Sequence, residues 1–213
     1  MLRYTLFFAV ALAPATGSAN WPSFQNGGKI QVAADALPLT WNSDKGIIWS
    51  VELTGYGQSS PVVWADTVYV TTCKGDKKDN LFVRALKLSS GETLWEHKLR
   101  NSTPEENSHY ISRAAPTPAA DAEGVIAFFE GGNLVALDHD GVVRWQRDLV
   151  KDYGPISARH GLGSSLEQDS KYVFVWVERE GKPYVLAISK KNGATNWKAD
   201  GAGKTAWSSP RLV

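Results

Sequence analysis

Along most of the chain the apolar residues fall in short runs, rich in β-branched and aromatic side chains and cut off by Gly, Asn, Asp and Ser. Runs of this kind read as strands. Nothing after the first nineteen residues carries the 3.6-residue apolar spacing of an amphipathic helix. One stretch predicts strands at Pro61–Trp64, Thr67–Thr72, Leu81–Leu86 and Glu92–Leu99, joined through Ala65 and Asp66, a loop from Lys74 to Asn80, and a turn over Ser89, Ser90 and Gly91. A second predicts Val125–Phe129, a hairpin turn at Gly131, Gly132 and Asn133, and Leu134–Leu137; a third predicts Tyr172–Val177 and Pro183–Ile188.

These stretches are copies of one another. Trp49, Trp95, Trp145 and Trp197 are 46, 50 and 52 residues apart. Gly91, Gly141 and Gly193 each stand four residues before one of these tryptophans, and Leu53, Leu99 and Leu149 four residues after, the fourth copy having Gly201 there. A second marker recurs out of phase: Ser59-Ser60-Pro61, Ala114-Ala115-Pro116, Ser164-Ser165-Leu166 and Ser208-Ser209-Pro210 each open a strand-rich stretch. Four short strands in a unit of this length, with one recurring aromatic, describe a β-propeller blade. The expected blades are 59–99, 114–149 and 162–200, the next starting at 208. A lone blade cannot bury both its faces, so blades stack side by side. The repeating Trp is expected to be a wedge between blades, with the Gly allowing close backbone approach.

The first nineteen residues stand outside this pattern. Arg3 precedes an apolar run, Tyr4 to Ala13, too short to span a bilayer, and Gly17-Ser18-Ala19 resembles a leader-peptidase site. Cleavage after Ala19 is expected, giving an exported chain that starts at Asn20 and lacks a cysteine for lipid attachment there. Composition narrows the rest. A formal charge of +1 gives no electrostatic footprint for nucleic acid. The single cysteine, Cys73, forms no internal disulfide and no thiolate zinc cage.

The motif Ala85, Lys87, Ser90, Gly91, Trp95 resembles the tryptophan-docking repeat of pyrroloquinoline-quinone (PQQ) type propellers. Ala187, Asn192, Gly193 and Trp197 match at the same spacing, with Ser189 at the motif's Asp position; Ala136, Asp138, Gly141 and Trp145 match with one residue deleted. The resemblance covers residues 40–213 and extends to secreted bacterial repeat proteins similar to the BamB-type outer-membrane assembly propellers. Trp21-Pro22-Ser23-Phe24 looks like the opening of such proteins. It implies an all-β ring of seven or eight four-stranded blades. About three and a half lie here, so the chain is expected to be the N-terminal part of a longer protein. In a complete ring the strand carrying Trp49 would pair with later strands.

The resemblance also implies two functional classes. Quinoprotein dehydrogenases hold PQQ in the central channel beside calcium, with a vicinal Cys-Cys disulfide on the quinone. Here Cys73 stands alone and no carboxylate cluster suits calcium, so neither PQQ nor Ca²⁺ is expected in this portion. Asp138-His139-Asp140-Gly141 reads as a hairpin turn, His97, His109, His139 and His160 as exposed positions without metal-ligand spacing, and Glu105-Glu106 as a solvated loop. The expectation is therefore a non-catalytic envelope scaffold that binds protein or peptide. A quinoprotein-type oxidoreductase subunit and a carbohydrate-binding propeller are the alternatives. The expected partner-binding residues lie in loops leading into each innermost strand: Gln58, Tyr110, Arg113, Arg159, His160 and Trp207, the residue types that binding hot spots favour.

Overall fold

A computed structural model describes residues 20–29, 40, 42, 46–106, 112–158, 161–179, 181–201 and 208–213. The first nineteen residues, and with them the expected leader, lie outside the described residues. Three antiparallel four-stranded sheets follow one another along the chain. The first holds β1 (Val62–Trp64), β2 (Thr67–Lys74), β3 (Asn80–Lys87) and β4 (Thr93–Arg100). The second holds β5 (Ala119–Asp121), β6 (Gly124–Phe128), β7 (Asn133–Leu137) and β8 (Val143–Asp148). The third holds β9 (Glu167–Gln168), β10 (Tyr172–Val177), β11 (Tyr184–Ser189) and β12 (Thr195–Asp200). In each sheet the strands pair in chain order, so these are three consecutive blades of a propeller, each short first strand being the innermost.

The core is made between blades. Pleating sends successive side chains to opposite faces, and the middle blade uses both. Val125, Ala127, Val135 and Leu137 pack with Tyr69, Leu81 and Val83 of the first blade. Ile126, Phe128, Leu134 and Ala136 pack with Val173, Val175, Leu186 and Ile188 of the third. In all three blades the motif alanine pairs across the last two strands with the motif tryptophan, Ala85 with Trp95, Ala136 with Trp145 and Ala187 with Trp197. A register shift follows each alanine. The deleted residue of the second copy shortens the turn: Gly141 N–H donates to the carbonyl three residues back, whereas Gly91 and Gly193 reach four residues back.

One local feature departs from the sequence reading. A five-residue helix, α1 (Leu149–Tyr153), follows β8, because Asp148 caps it by accepting from the Val150 and Lys151 amides. One and a half turns are too short to show a helical period. Ile47 to Leu53 makes no strand pairing among the described residues, and the later strands expected to pair with the Trp49 segment are not among them. It is held on the first blade instead. Arg84 donates to the Glu52 carbonyl and Thr54 Oγ1, and Thr72 Oγ1 donates to the Thr54 carbonyl.

Candidate functional site

The blade junctions explain the repeat. Trp49, Trp95 and Trp145 each lie against the motif glycine of the following blade. A Cβ built on Gly91 would sit 2.5 Å from the Trp49 ring, on Gly141 2.7 Å from that of Trp95, and on Gly193 2.8 Å from that of Trp145. The same turns supply a carbonyl for each indole N–H: Leu88 for Trp49 at 2.8 Å, His139 for Trp95 at 2.7 Å and Lys190 for Trp145 at 2.7 Å. All three glycines have positive φ, +73° at Gly91, +83° at Gly141 and +72° at Gly193. At these positions a side chain would strain the turn and also strike the ring. Gly91, Trp95, Gly141, Trp145 and Gly193 thus all lie at blade junctions. Trp197 carries the same motif but stays 42% exposed, its ring 6.0 Å from that of Phe174.

Toward the propeller axis a second set of bonds links the lead-in segments. Ser60 N–H donates to Thr117 Oγ1, Thr117 N–H to Ser165 Oγ, and Ser165 N–H to Ser209 Oγ. In the second copy Ala115 replaces the serine found at this place in the others, and the hydroxyl comes from Thr117 two residues on. Ser165 and Ser209, like Thr117, are therefore blade-to-blade acceptors.

A third recurring position was not legible in the sequence, because its residue type changes. Cys73, Glu130 and Glu178 each stand five residues past register-matched Val68, Val125 and Val173, and all three are buried. Each reaches the lead-in loop of the next blade. Cys73 Sγ donates to the Ser112 carbonyl, Glu130 Oε2 accepts from the Leu162 amide at 3.0 Å, and Glu178 Oε1 accepts from the Ser208 amide at 3.1 Å. Burial pushes both carboxyls above the ordinary glutamate value and the Cys73 thiol up to about 11. A thiol so held is a poor nucleophile at neutral pH.

The expected partner-binding residues divide sharply. Tyr110, Arg159, His160 and Trp207 lie outside the described residues. Gln58 is exposed and braces the neighbouring lead-in loop, its Oε1 accepting from the Ser112 amide at 3.1 Å. Arg113 is only 8% exposed and sits at positive φ, +66°. Its guanidinium forms an ion pair with Glu105 and faces Glu130 and Lys78. It contributes little open surface. Burial also lowers the Lys78 amine, against the opposing influence of Cys73 and Glu130.

Several other sequence readings are corrected by packing. Glu105 belongs to that ion pair rather than to a purely solvated loop. His97 and His139 are half-buried, not exposed. His139 lies at the junction of the first two blades, its Nδ1 2.6 Å from the Tyr69 hydroxyl. Asp138 Oδ1 accepts from the Asp140 and Val142 amides, so that carboxylate closes the expected turn. Asn101, the acceptor position of a glycosylation sequon, is buried and donates to the Lys78 carbonyl at 2.9 Å. Among the described residues no three His, Cys, Asp or Glu side chains gather as metal ligands. Two carboxylates near the axis are occupied, Asp121 by Lys190 and Glu167 by Arg211.

Fold and junctions define a tryptophan-docked β-propeller whose polar groups near the axis join blade to blade. The family model described as "Outer membrane protein assembly factor BamB" matches residues 9–208, and the chain belongs to that family. A curated relative with the same description, from Moranella endobia (strain PCIT), is 24% identical over 161 residues, covering 73% of this chain. This chain spans 36% of that relative's length. Two solved structures share the fold. Quinohemoprotein alcohol dehydrogenase from Comamonas testosteroni matches with TM-score 0.56 and 15% identity, over 85% of this chain and 27% of its own. A europium-containing methanol dehydrogenase matches with TM-score 0.50 and 18% identity, over 70% and 27%.

Proposed function

We propose that this protein is an exported, non-catalytic propeller that serves as a protein-binding scaffold in outer-membrane protein assembly, and that this portion binds neither PQQ nor calcium. The observation that carries the reading is the use of the polar groups around the lead-in loops. Glu130, Glu178, Arg113 and Cys73 hold neighbouring blades together, and no acid and base among them faces an open site. Membership in the assembly-factor family supports the partner class. No helix among the described residues is long and apolar enough to cross a membrane. Partner contacts are assigned to Gln58, Tyr110, Arg159, His160 and Trp207 of the lead-in segments, with Arg113 tied to Glu105.

The test is cross-linking in intact cells followed by purification of the full-length protein. Outer-membrane assembly proteins should be captured, and Tyr110→Ala with Trp207→Ala should reduce capture without lowering the melting temperature. Capture that is unaffected would remove these loops from the interface. Calorimetric titration with PQQ and Ca²⁺ should show no saturable binding; micromolar binding would restore the dehydrogenase alternative.

A further inference from the structure

The N-terminal segment Asn20–Lys29 does something that neither the repeat nor the scaffold reading uses. It lies along the axis-facing edges of the innermost strands. Trp21 exchanges both main-chain hydrogen bonds with Val63 of β1 at 2.8 Å, on the edge that β2 leaves free. The Pro22 carbonyl accepts from Ala120 of β5 at 2.8 Å, and Asn20 Oδ1 accepts from the Ala65 amide at 2.8 Å. Beyond Ser23, which is buried, the chain turns through Phe24–Gly28. A Cβ on Gly28 would come 2.4 Å from the Arg211 guanidinium, the group that pairs with Glu167 of β9. One short segment thus bonds to the inner edges of the first two blades and reaches Arg211 in the stretch after the third. Beneath it is a cavity of about 590 Å³, bordered by Ser23, Trp64, Asp121, Gln168 and Lys190.

The chemistry of this contact is that of an added strand. Bare inner-strand edges present unpaired N–H and C=O groups, which extended backbone satisfies. Pro22 has no N–H, so it accepts from β5 while ending the pattern on its other side. Most of the segment is half-buried or exposed, unlike the blades it crosses. Few buried apolar contacts place such a segment at the low end of local stability.

We propose that the axial edges of β1 and β5 form a peptide groove, shut in this protein by its own strap Trp21–Gly28 as the resident ligand. An extended peptide with the Asn-Trp-Pro-Ser-Phe chemistry of the strap competes for the same edges when the strap lifts. This goes beyond the scaffold reading and stands independently of it, because the strap contacts only this chain.

The test uses the full chain with two variants and a labelled synthetic peptide of residues 20–28. Trp21→Pro removes the donor to Val63. The pair Trp21→Cys with Val63→Cys sits at a hydrogen-bonded antiparallel position, where Cα atoms are about 5.5 Å apart and within disulfide reach. In Trp21→Pro the Val63, Ala65 and Ala120 amides should exchange at least about tenfold faster, with Leu86 in β3 unchanged. The peptide should bind the Trp21→Pro protein and the reduced cysteine pair, and fail to bind the oxidised pair. Equal binding to oxidised and reduced forms, absence of binding to every form, or unchanged exchange at Val63 and Ala120 would each overturn the groove. The redox comparison decides the matter even if Trp21→Pro does not fold.

Discussion

The middle and third blades carry near-identical motifs and differ in what lies beside them. In β6 every residue from Gly124 to Phe128 is buried. In β10 only alternate residues are, with Val173, Val175 and Val177 closed off while Tyr172, Phe174 and Trp176 remain half-buried. Both strands are apolar on both faces in sequence, so composition does not separate them. Among the described residues the middle blade has a blade on each side, whereas beyond the third blade only residues 208–213 are described, and they touch it through Ser208, Ser209 and Arg211. The tryptophans tell the same story: Trp145 is 8% exposed and Trp197 42%. The turn geometry that receives a tryptophan is local to each blade, whereas the burial that makes it stabilising belongs to the junction.

The most forceful way to break this comparison is to truncate both rings. Trp145→Ala should cost about 3–5 kcal/mol in urea unfolding, the usual range for losing a buried aromatic. Trp197→Ala should cost less than about 1 kcal/mol in this chain, since exposed substitutions are mostly small. Equal losses would show that these tryptophans act within their own blades rather than across junctions.

Two glycines sharpen the point. Gly141 and Gly181 both have positive φ, +83° and +95°, but a Cβ meets the Trp95 ring at Gly141 and nothing within 4 Å at Gly181. Gly181→Ala should cost about 1 kcal/mol for its backbone alone. Gly141→Ala should add about 1–3 kcal/mol from overpacking against the indole. Thermal melts of the two variants give the difference directly. A smaller effect is expected at the axis, where Thr117→Val removes the acceptor of the Ser60 amide and should cost about 1 kcal/mol.

The smallest predicted effect is a slope. Burial raises the Glu130 carboxyl above its ordinary 4.5, so the folded protein holds that proton more strongly than the unfolded chain does. Its contribution is complete below 4.5 and is lost as pH rises through the folded value, with the Leu162 amide and Arg113 opposing the shift. Glu130→Gln keeps an acceptor for Leu162 and removes the titration. Stability measured by denaturant at successive pH values should then fall less steeply above 4.5. An unchanged slope would mean that Glu130 carries no net penalty between blades.

Much of the fold was legible because its signals are local. Strand runs, the Gly-to-Trp spacing and the deleted residue at Gly141 are short-range facts of sequence, and the turns and sheets follow them. The candidate site was far less legible. Arg113 looked like an exposed cation, but its pairing with Glu105 across a loop is set by three-dimensional closure. Cys73, Glu130 and Glu178 share one structural role with different side chains, so no repeated letter marks them. Only the register of β2, β6 and β10 aligns them, and only the approach of the next lead-in loop gives each its partner.

The order of residues alone settled the blade as a unit, since short β-rich apolar runs, a glycine that tolerates positive φ and a large aromatic four residues later are properties of one segment. It also settled the near-neutral charge and the absence of any internal disulfide. What tertiary structure decided is which face of each blade is core, which polar groups are consumed between blades, and that Trp21–Gly28 lies along the axis. Those outcomes depend on surfaces brought together from positions some forty residues apart or more, as Trp145 with Gly193 and Trp21 with Val63 show. Burial and hydrogen-bond partnership are relations between segments, and a pattern within one segment cannot specify them.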